Sequence, residues 1–272
     1  MAFISLFTLF FFLAYDAEFF EPWDKADLLL SSTAWNAPGP LTVGSENLIF
    51  QCAELAAIPA AHFLTQDPGV PNSWAVAEQR DLSMEKMSEM AAICQLAADT
   101  FPNNAEVAAM SAYADRRILQ DYRFREGEVD IPMLSFATLD KFEAALNAGS
   151  LLASVEVGLA HISGFFANEF IPENRDLGHR LIKRAADLGY PYAQYQLGLI
   201  YEKGRTGKYQ FVEAGSYYRA AAQQGYAPAQ FRLGKLHQVG LGVEESSEVA
   251  LHYITLAADM GLPIALEWLD QN

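Results

Sequence analysis

From residue 193 onward the apolar and small residues fall into a pattern that returns every 36 positions. Ala193, Leu197, Gly198, Tyr201 and Gly204 recur as Ala229, Leu233, Gly234, His237 and Gly240, and Tyr217, Ala221, Ala222 and Gly225 recur as Tyr253, Ala257, Ala258 and Gly261. In the second segment of each unit Ala214, Tyr217, Tyr218, Ala221, Ala222 and Gly225 step as i, i+3, i+4, i+7, i+8 and i+11, which lines one face of an α-helix and predicts that face to be buried. Gly198 and Gly234 fall inside the first segment, where glycine costs about 1 kcal/mol relative to alanine. The missing side chain must therefore admit a closely packed partner helix. Gly225 and Gly261 sit where the second helix stops, as left-handed C-caps do.

An earlier copy is marked by Ala153, Gly158 and Gly164, followed by Ala185, Ala186 and Gly189. Its spacing from Gly164 to Ala185 is 21 residues against 17 from Gly204 to Ala221, so four residues are inserted in a loop. Further back, Ala145 and Gly149 stand forty residues before Ala185 and Gly189, predicting a helix over about 138–148. Ala265 and Leu269 begin one more first helix at the end of the chain, which reads as a cap. Units that repeat with this period cannot bury their apolar faces alone and stack to do so, so function is expected on a surface.

These residues resemble the consensus of Sel-one-like repeats, short relatives of tetratricopeptide repeats: Ala-x-x-x-Leu-Gly-x-x-Tyr-x-x-Gly, a Gly-x-Gly-Val loop, and a second helix ending Ala-Ala-x-x-Gly. The loop signature is complete in the last unit, as Gly240-Leu-Gly242-Val243; the middle unit has Gly204-Arg-Thr-Gly207, and the first replaces it with Phe165-Phe-Ala-Asn-Glu-Phe170. The resemblance implies an all-α solenoid of antiparallel helix pairs in a right-handed superhelix, and a non-enzymatic role as an adaptor or scaffold that holds a protein or peptide.

The expected organisation is a short apolar segment over 1–17, an irregular lead-in over 18–44, a degenerate helical-repeat region over 45–132 and a repeat region over 133–272. Its units lie near 153–192, 193–228 and 229–264, followed by the cap. Ser45 can cap a helix running to about residue 64, and the Pro- and Gly-rich stretch 67–72 breaks the chain before a helical segment over about 73–99. Phe101-Pro-Asn-Asn-Ala is a helix-to-helix turn, and the stretch 126–132 is a further boundary.

Acidic residues outnumber basic ones 34 to 18, a net charge of −16 that repels phosphate backbones and argues against nucleic acid and anionic lipid. Residues 2–14 are a Phe-rich apolar run, too short to span a bilayer but long enough for a signal-peptide core; membrane contact is expected only there. Export, periplasmic or secreted, is the reading preferred over a cytoplasmic or membrane-anchored protein. The two cysteines, Cys52 and Cys94, fit either one disulfide or two free core thiols on buried helix faces.

No metal or cofactor motif occurs: there is no Cys-x-x-Cys or His-Glu-x-x-His, and the glycines of the loops lack a Gly-Lys-Ser sequence. His161 and His237 occupy the column of Tyr201, which predicts packing between helices. The rival function is a helical-repeat hydrolase or penicillin-binding protein using Ser83 and Lys86 of a Ser-x-x-Lys pattern, against which stands the lack of a Ser-Asp-Asn element and of strands. What remains is surface. Gln194, Gln196, Glu202, Gln230, Arg232, Lys235 and Gln238 fall between the buried columns of the first helices, and Phe165, Phe166 and Phe170 lie in the inserted loop; these are the candidate partner-binding residues.

Overall fold

Helix after helix ends in the same way, and that turn organises the chain. A glycine with positive φ (Gly149 95°, Gly189 91°, Gly225 77°, Gly261 79°) lets the next backbone N–H reach back to the carbonyl five residues before it. Ser150 N to Ala145 O is 2.9 Å, Tyr190 N to Ala185 O 3.1 Å, Tyr226 N to Ala221 O 3.1 Å and Leu262 N to Ala257 O 3.0 Å. Each such turn satisfies carbonyls that a helix end leaves open and hands the chain to the next first helix. The third and fourth of these turns lie 36 residues apart, as the sequence pattern requires.

A computed structural model describes residues 46–59, 84–122, 131–163, 174–205 and 207–272, all within one compact unit, Pro38–Asn272. Among the described residues there are eleven helices and no strand. They are α1 (Glu46–Leu55), α2 (Met84–Thr100), α3 (Ala105–Tyr122), α4 (Ile131–Asn147), α5 (Leu151–Ser163), α6 (Arg175–Asp187), α7 (Pro191–Glu202), α8 (Phe211–Gln223), α9 (Ala227–Val239), α10 (Ser247–Asp259) and α11 (Pro263–Gln271). Helices pair in succession, α1 with α2, α3 with α4, α5 with α6, α7 with α8 and α9 with α10; each pair packs on the next, and α11 closes the series. The all-α solenoid expected from the sequence is the fold, and its pairs reach back to Glu46.

The two helix types start differently. Asn174 and Ser246 accept hydrogen bonds from Leu177 N (3.0 Å) and Val249 N (3.3 Å) at the starts of second helices α6 and α10, while first helices α7, α9 and α11 carry proline in their first two positions. Ahead of the repeats, first helix α3 departs from this and is capped by Asn104, which accepts from Glu106 N (3.0 Å) and Val107 N (3.2 Å).

Inside each repeat the glycine of the first helix does what its position predicts. A Cβ on Gly198 would lie 2.3 Å from the Tyr218 ring, one on Gly234 2.8 Å from Ile254, and one on Gly158 2.7 Å from Ile182 and 2.8 Å from the Gly178 carbonyl. The contacts join residues 20 apart in the last two units and 24 apart in the first, which is the four-residue insertion expressed as geometry.

Two helix boundaries differ from expectation. Helix α1 stops at Leu55, not near residue 64, because Pro59 keeps Ile58 out of the helical region and Ala57 turns to φ 50°. Helix α4 begins at Ile131 instead of about residue 138, since proline is tolerated in a first turn, and the expected boundary over 126–132 therefore runs into a helix. Cys52 and Cys94 are bridged, joining α1 to α2. The segments 1–17 and 18–44, Ser45, the break over 67–72 and the start of the segment over 73–99 lie outside the described residues.

Candidate interaction surface

The repeat seams contain a polar column that is part of the packing. Gln194 and Gln230, 36 residues apart and expected on a solvent face, are buried at 8% and 5% exposure. Each donates through Nε2 to the carbonyl eight residues earlier, Ala186 O and Ala222 O, both at 3.3 Å. They tie each first helix to the end of the preceding second helix. Gln224 adds a rung, donating to Gly189 O and to Gln194 Oε1, both at 2.9 Å. In the last unit Met260 stands where Gln224 would, and Gln230 Oε1 is buried without a hydrogen-bond partner. The signal was in the sequence: an identical residue at an identical position serves a contact the repeat itself makes, whereas a binding position is free to vary from unit to unit.

The positions that vary do remain partly open. Gln196, Arg232 and Trp268 occupy one column of successive first helices α7, α9 and α11, and none of the three is buried. Arg232 Nη1 lies 3.5 Å from Glu202 Oε1, Glu202 also accepts from the Tyr218 hydroxyl, and the Tyr195 ring packs 5.9 Å from that of Tyr218. Burial pushes the Tyr218 hydroxyl up, and its hydrogen bond to Glu202 pushes the same way, so it stays a donor at neutral pH. Lys235 donates to Gln238 and sits 5.6 Å from the centre of the Trp268 ring, a cation over an aromatic face. The structure thus gathers Gln196, Glu202, Arg232, Lys235 and Gln238 on the first-helix side, with Tyr195 and Trp268, which the sequence reading did not single out. Phe165, Phe166 and Phe170 lie outside the described residues. So does Ser83 of the hydrolase pattern; Lys86 is exposed on α2.

The histidines of the Tyr201 column are packing residues, as expected. His237 is buried, holds Nδ1 2.8 Å from Glu244 O and stacks 6.1 Å from Tyr253; His161 is 1% exposed; Tyr201 stacks on Tyr217 at 5.6 Å.

A second polar set is buried where the repeats meet the preceding helices. Arg116 Nε pairs with Glu156 Oε2 at 3.2 Å, and Tyr192 donates to Glu156 Oε1 at 3.0 Å. Burial pushes the Glu156 carboxyl up, against the pull of the Arg116 guanidinium and the Tyr192 hydroxyl. Glu106 of α3 accepts from Leu151 N (2.6 Å) and the Ser150 hydroxyl (2.6 Å) at the start of α5. Its burial pushes that carboxyl up to about 7 in spite of these donors. Tyr190 donates to Pro59 O at 2.6 Å across 131 residues. All of these groups are sealed and serve architecture. Among the described residues no three His, Cys, Asp or Glu side chains gather to hold a metal, and no helix is long and apolar enough to cross a membrane.

The Sel1 repeat family matches at residues 153–190, 191–226 and 227–262, ranges that begin two of the units at the first residues of α7 and α9. The chain is similar to a Sel1 repeat protein from Oxalobacter formigenes (28% identity over 49% of this chain and 98% of that one, TM-score 0.44). It is also similar to c5321, a protective antigen of uropathogenic Escherichia coli strains displaying an SLR fold (16% identity, 81% of this chain and 55% of that one, TM-score 0.43). A third similar structure is PA5086 of Pseudomonas aeruginosa (17% identity, 84% and 86% covered, TM-score 0.43). None of the curated proteins matches the chain. Sel1 repeats generally serve as protein-interaction scaffolds, and residues 153–262 of this chain match the Sel1 repeat three times in succession.

Proposed function

We propose that the protein is a non-enzymatic scaffold that binds another protein or an extended peptide on the first-helix side of its repeats. The carrying observation is the contrast between two columns of the same helices. Gln194 and Gln230 repeat and are buried; Gln196, Arg232 and Trp268 change from unit to unit and stay partly open beside Glu202 and Lys235. Arginine, tyrosine and tryptophan grouped in this way are the side chains that dominate binding energy at protein interfaces. A photo-crosslinking amino acid placed at Gln196 or Trp268 should capture a partner in the native cell, and the same group at Thr255, exposed on second helix α10, should not. Adducts formed only from Thr255 would assign binding to the other side.

We further infer that the protein is exported, with residues 1–17 as its signal. The Cys52–Cys94 bridge supports this, because disulfides persist in oxidising compartments. The intact mass of the mature protein tests it: loss of the N-terminal segment together with an oxidised cysteine pair is expected, and a chain recovered from the cytoplasm still starting at Met1 with two free thiols would sink it.

A further inference from the structure

The net charge of −16 hides a division within the chain. Residues 175–240 hold ten of its 18 lysines and arginines but four of its 34 acidic residues, which leaves this stretch at +6 and the remainder at −22. At physiological ionic strength exposed charges act over about 8 Å, so what docks on this band is decided by its own side chains and not by the distant acids.

The sharpest part of the band is the loop between α7 and α8. Lys203, Arg205 and Lys208 are all exposed there, and Tyr209, 71% exposed, is held as a flat surface by stacking on Phe211 at 5.9 Å between ring centres. None of this is required by the repeat. In the next unit the corresponding positions, 36 residues on, are Val239, Leu241, Glu244 and Glu245, and that loop closes with the same bond, Ser246 N to His237 O as Gln210 N to Tyr201 O. Gly242 of that loop lies against the start of α8, where a Cβ would come 2.2 Å from the Phe211 backbone. The acidic loop therefore borders the basic one, and Glu248 continues the negative side.

We propose that the α7–α8 loop is a docking site for a short acidic segment of a partner protein, with Lys203, Arg205 and Lys208 meeting its carboxylates and Tyr209 covering its backbone or an apolar side chain. This rests on the reading of the repeats as an interaction surface and adds to it a second contact and its chemistry. Charge complementarity favours an acidic peptide, and the flanking Glu244, Glu245 and Glu248 confine an anion to the width of one repeat. A long polyphosphate strand would have to cross that negative border.

The test is fluorescence anisotropy of the full chain with a labelled peptide of alternating glutamate and glycine, beside a lysine–glycine peptide and oligothymidylate. The glutamate peptide should bind at low salt and weaken as salt rises. A K203E/R205E/K208E variant with an unchanged melting curve should raise the Kd by about tenfold or more, while an R232A/K235A variant should change it by less than about twofold. Absence of glutamate-peptide binding, an equal loss in both variants, or tighter binding of oligothymidylate would each overturn the assignment. So would salt-sensitive self-association abolished by the loop variant, which would make the occupant a second copy of this chain. The crosslinks from Gln196 and Trp268 do not depend on this loop, so failure of the peptide site and failure of the scaffold reading leave different signatures.

Discussion

The helices before Asn147 and those after Ser150 solve one packing problem by opposite means. In the repeats the same few contacts recur: a first-helix glycine under a second-helix side chain, a positive-φ glycine at the turn, a buried glutamine bound to a carbonyl eight residues back. In the earlier part each tie occurs once. The disulfide joins α1 to α2, Arg117 Nη1 donates to Ala56 O at 3.2 Å, Lys141 bridges Asp115 (2.7 Å) and Gln95 (3.0 Å), and Glu106 reaches the start of α5. A stack built from identical seams distributes its stability evenly between neighbours. One built from single ties concentrates it in a few groups, and each of those is a point at which the stack can be cut.

The largest effect expected from that difference is loss of the bridge. Its two cysteines are 42 residues apart, and releasing a closed loop of that size costs about 4 kcal/mol in the chain-entropy picture. Reduction, or Cys52→Ser with Cys94→Ser, should raise hydrogen exchange in α1 and α2 first and leave α9 and α10 protected. Uniform loss of protection would mean the two regions unfold as one.

Glu106 sharpens the comparison through pH. Its carboxyl moves from the usual 4.5 up to about 7 on folding, so between those values the folded state holds more proton than the unfolded one and stability falls as pH rises. The stabilisation is complete below about 4.5 and gone above about 7, on the order of 3 kcal/mol across the window. The difference in melting temperature between the parent and Glu106→Gln should therefore change steeply over this range, and a constant difference would remove the single-tie assignment.

Glycine substitutions test the other side. A Cβ at Gly178 would lie 2.5 Å from the backbone carbonyl of Gly158, which cannot swing aside, so Gly178→Ala should cost about 2 kcal/mol through overpacking. Gly225→Ala meets nothing within 4 Å and should cost about 1 kcal/mol, from its φ of 77° alone. Equal losses in urea unfolding would show that close approach is not what the helical glycine supplies.

The smallest change is a gain. Met260→Gln restores the residue found at position 224 and offers a donor to Gln230 Oε1, worth about 1 kcal/mol of added stability. No change, or a loss, would show that the glutamine rung does not transfer between seams.

How much of this was legible follows the same division. The repeat helices and their turns could be read because Gly198 and Gly234, or Gly225 and Gly261, state the same requirement twice. Before Ala145 and Gly149, which recur as Ala185 and Gly189, no such requirement is stated twice. Tyr190 to Pro59 and Arg116 to Glu156 are pairings between distant residues that no local pattern announces, and the early end of α1 turns on one proline. At the candidate surface polarity alone groups Gln194 and Gln230 with Gln196 and Arg232, whereas repetition sets the first two apart. Tyr195 and Trp268 carry no such signal, because an aromatic residue on a helix is as often core as surface in sequence terms.

The recurrence of one seam bears on how long such a protein can be. Because α6 meets α7 and α8 meets α9 through the same turn and the same glutamine bond, residues 191–226 form a cassette whose two ends match. A duplicate inserted after residue 226 would find its own donors and acceptors waiting on both sides, lengthening the array by one unit without a new contact being designed. The junction around Glu106 and Glu156 permits no such insertion, since each of its partners exists in one copy. The chain is extensible from within its repeats and fixed at their root.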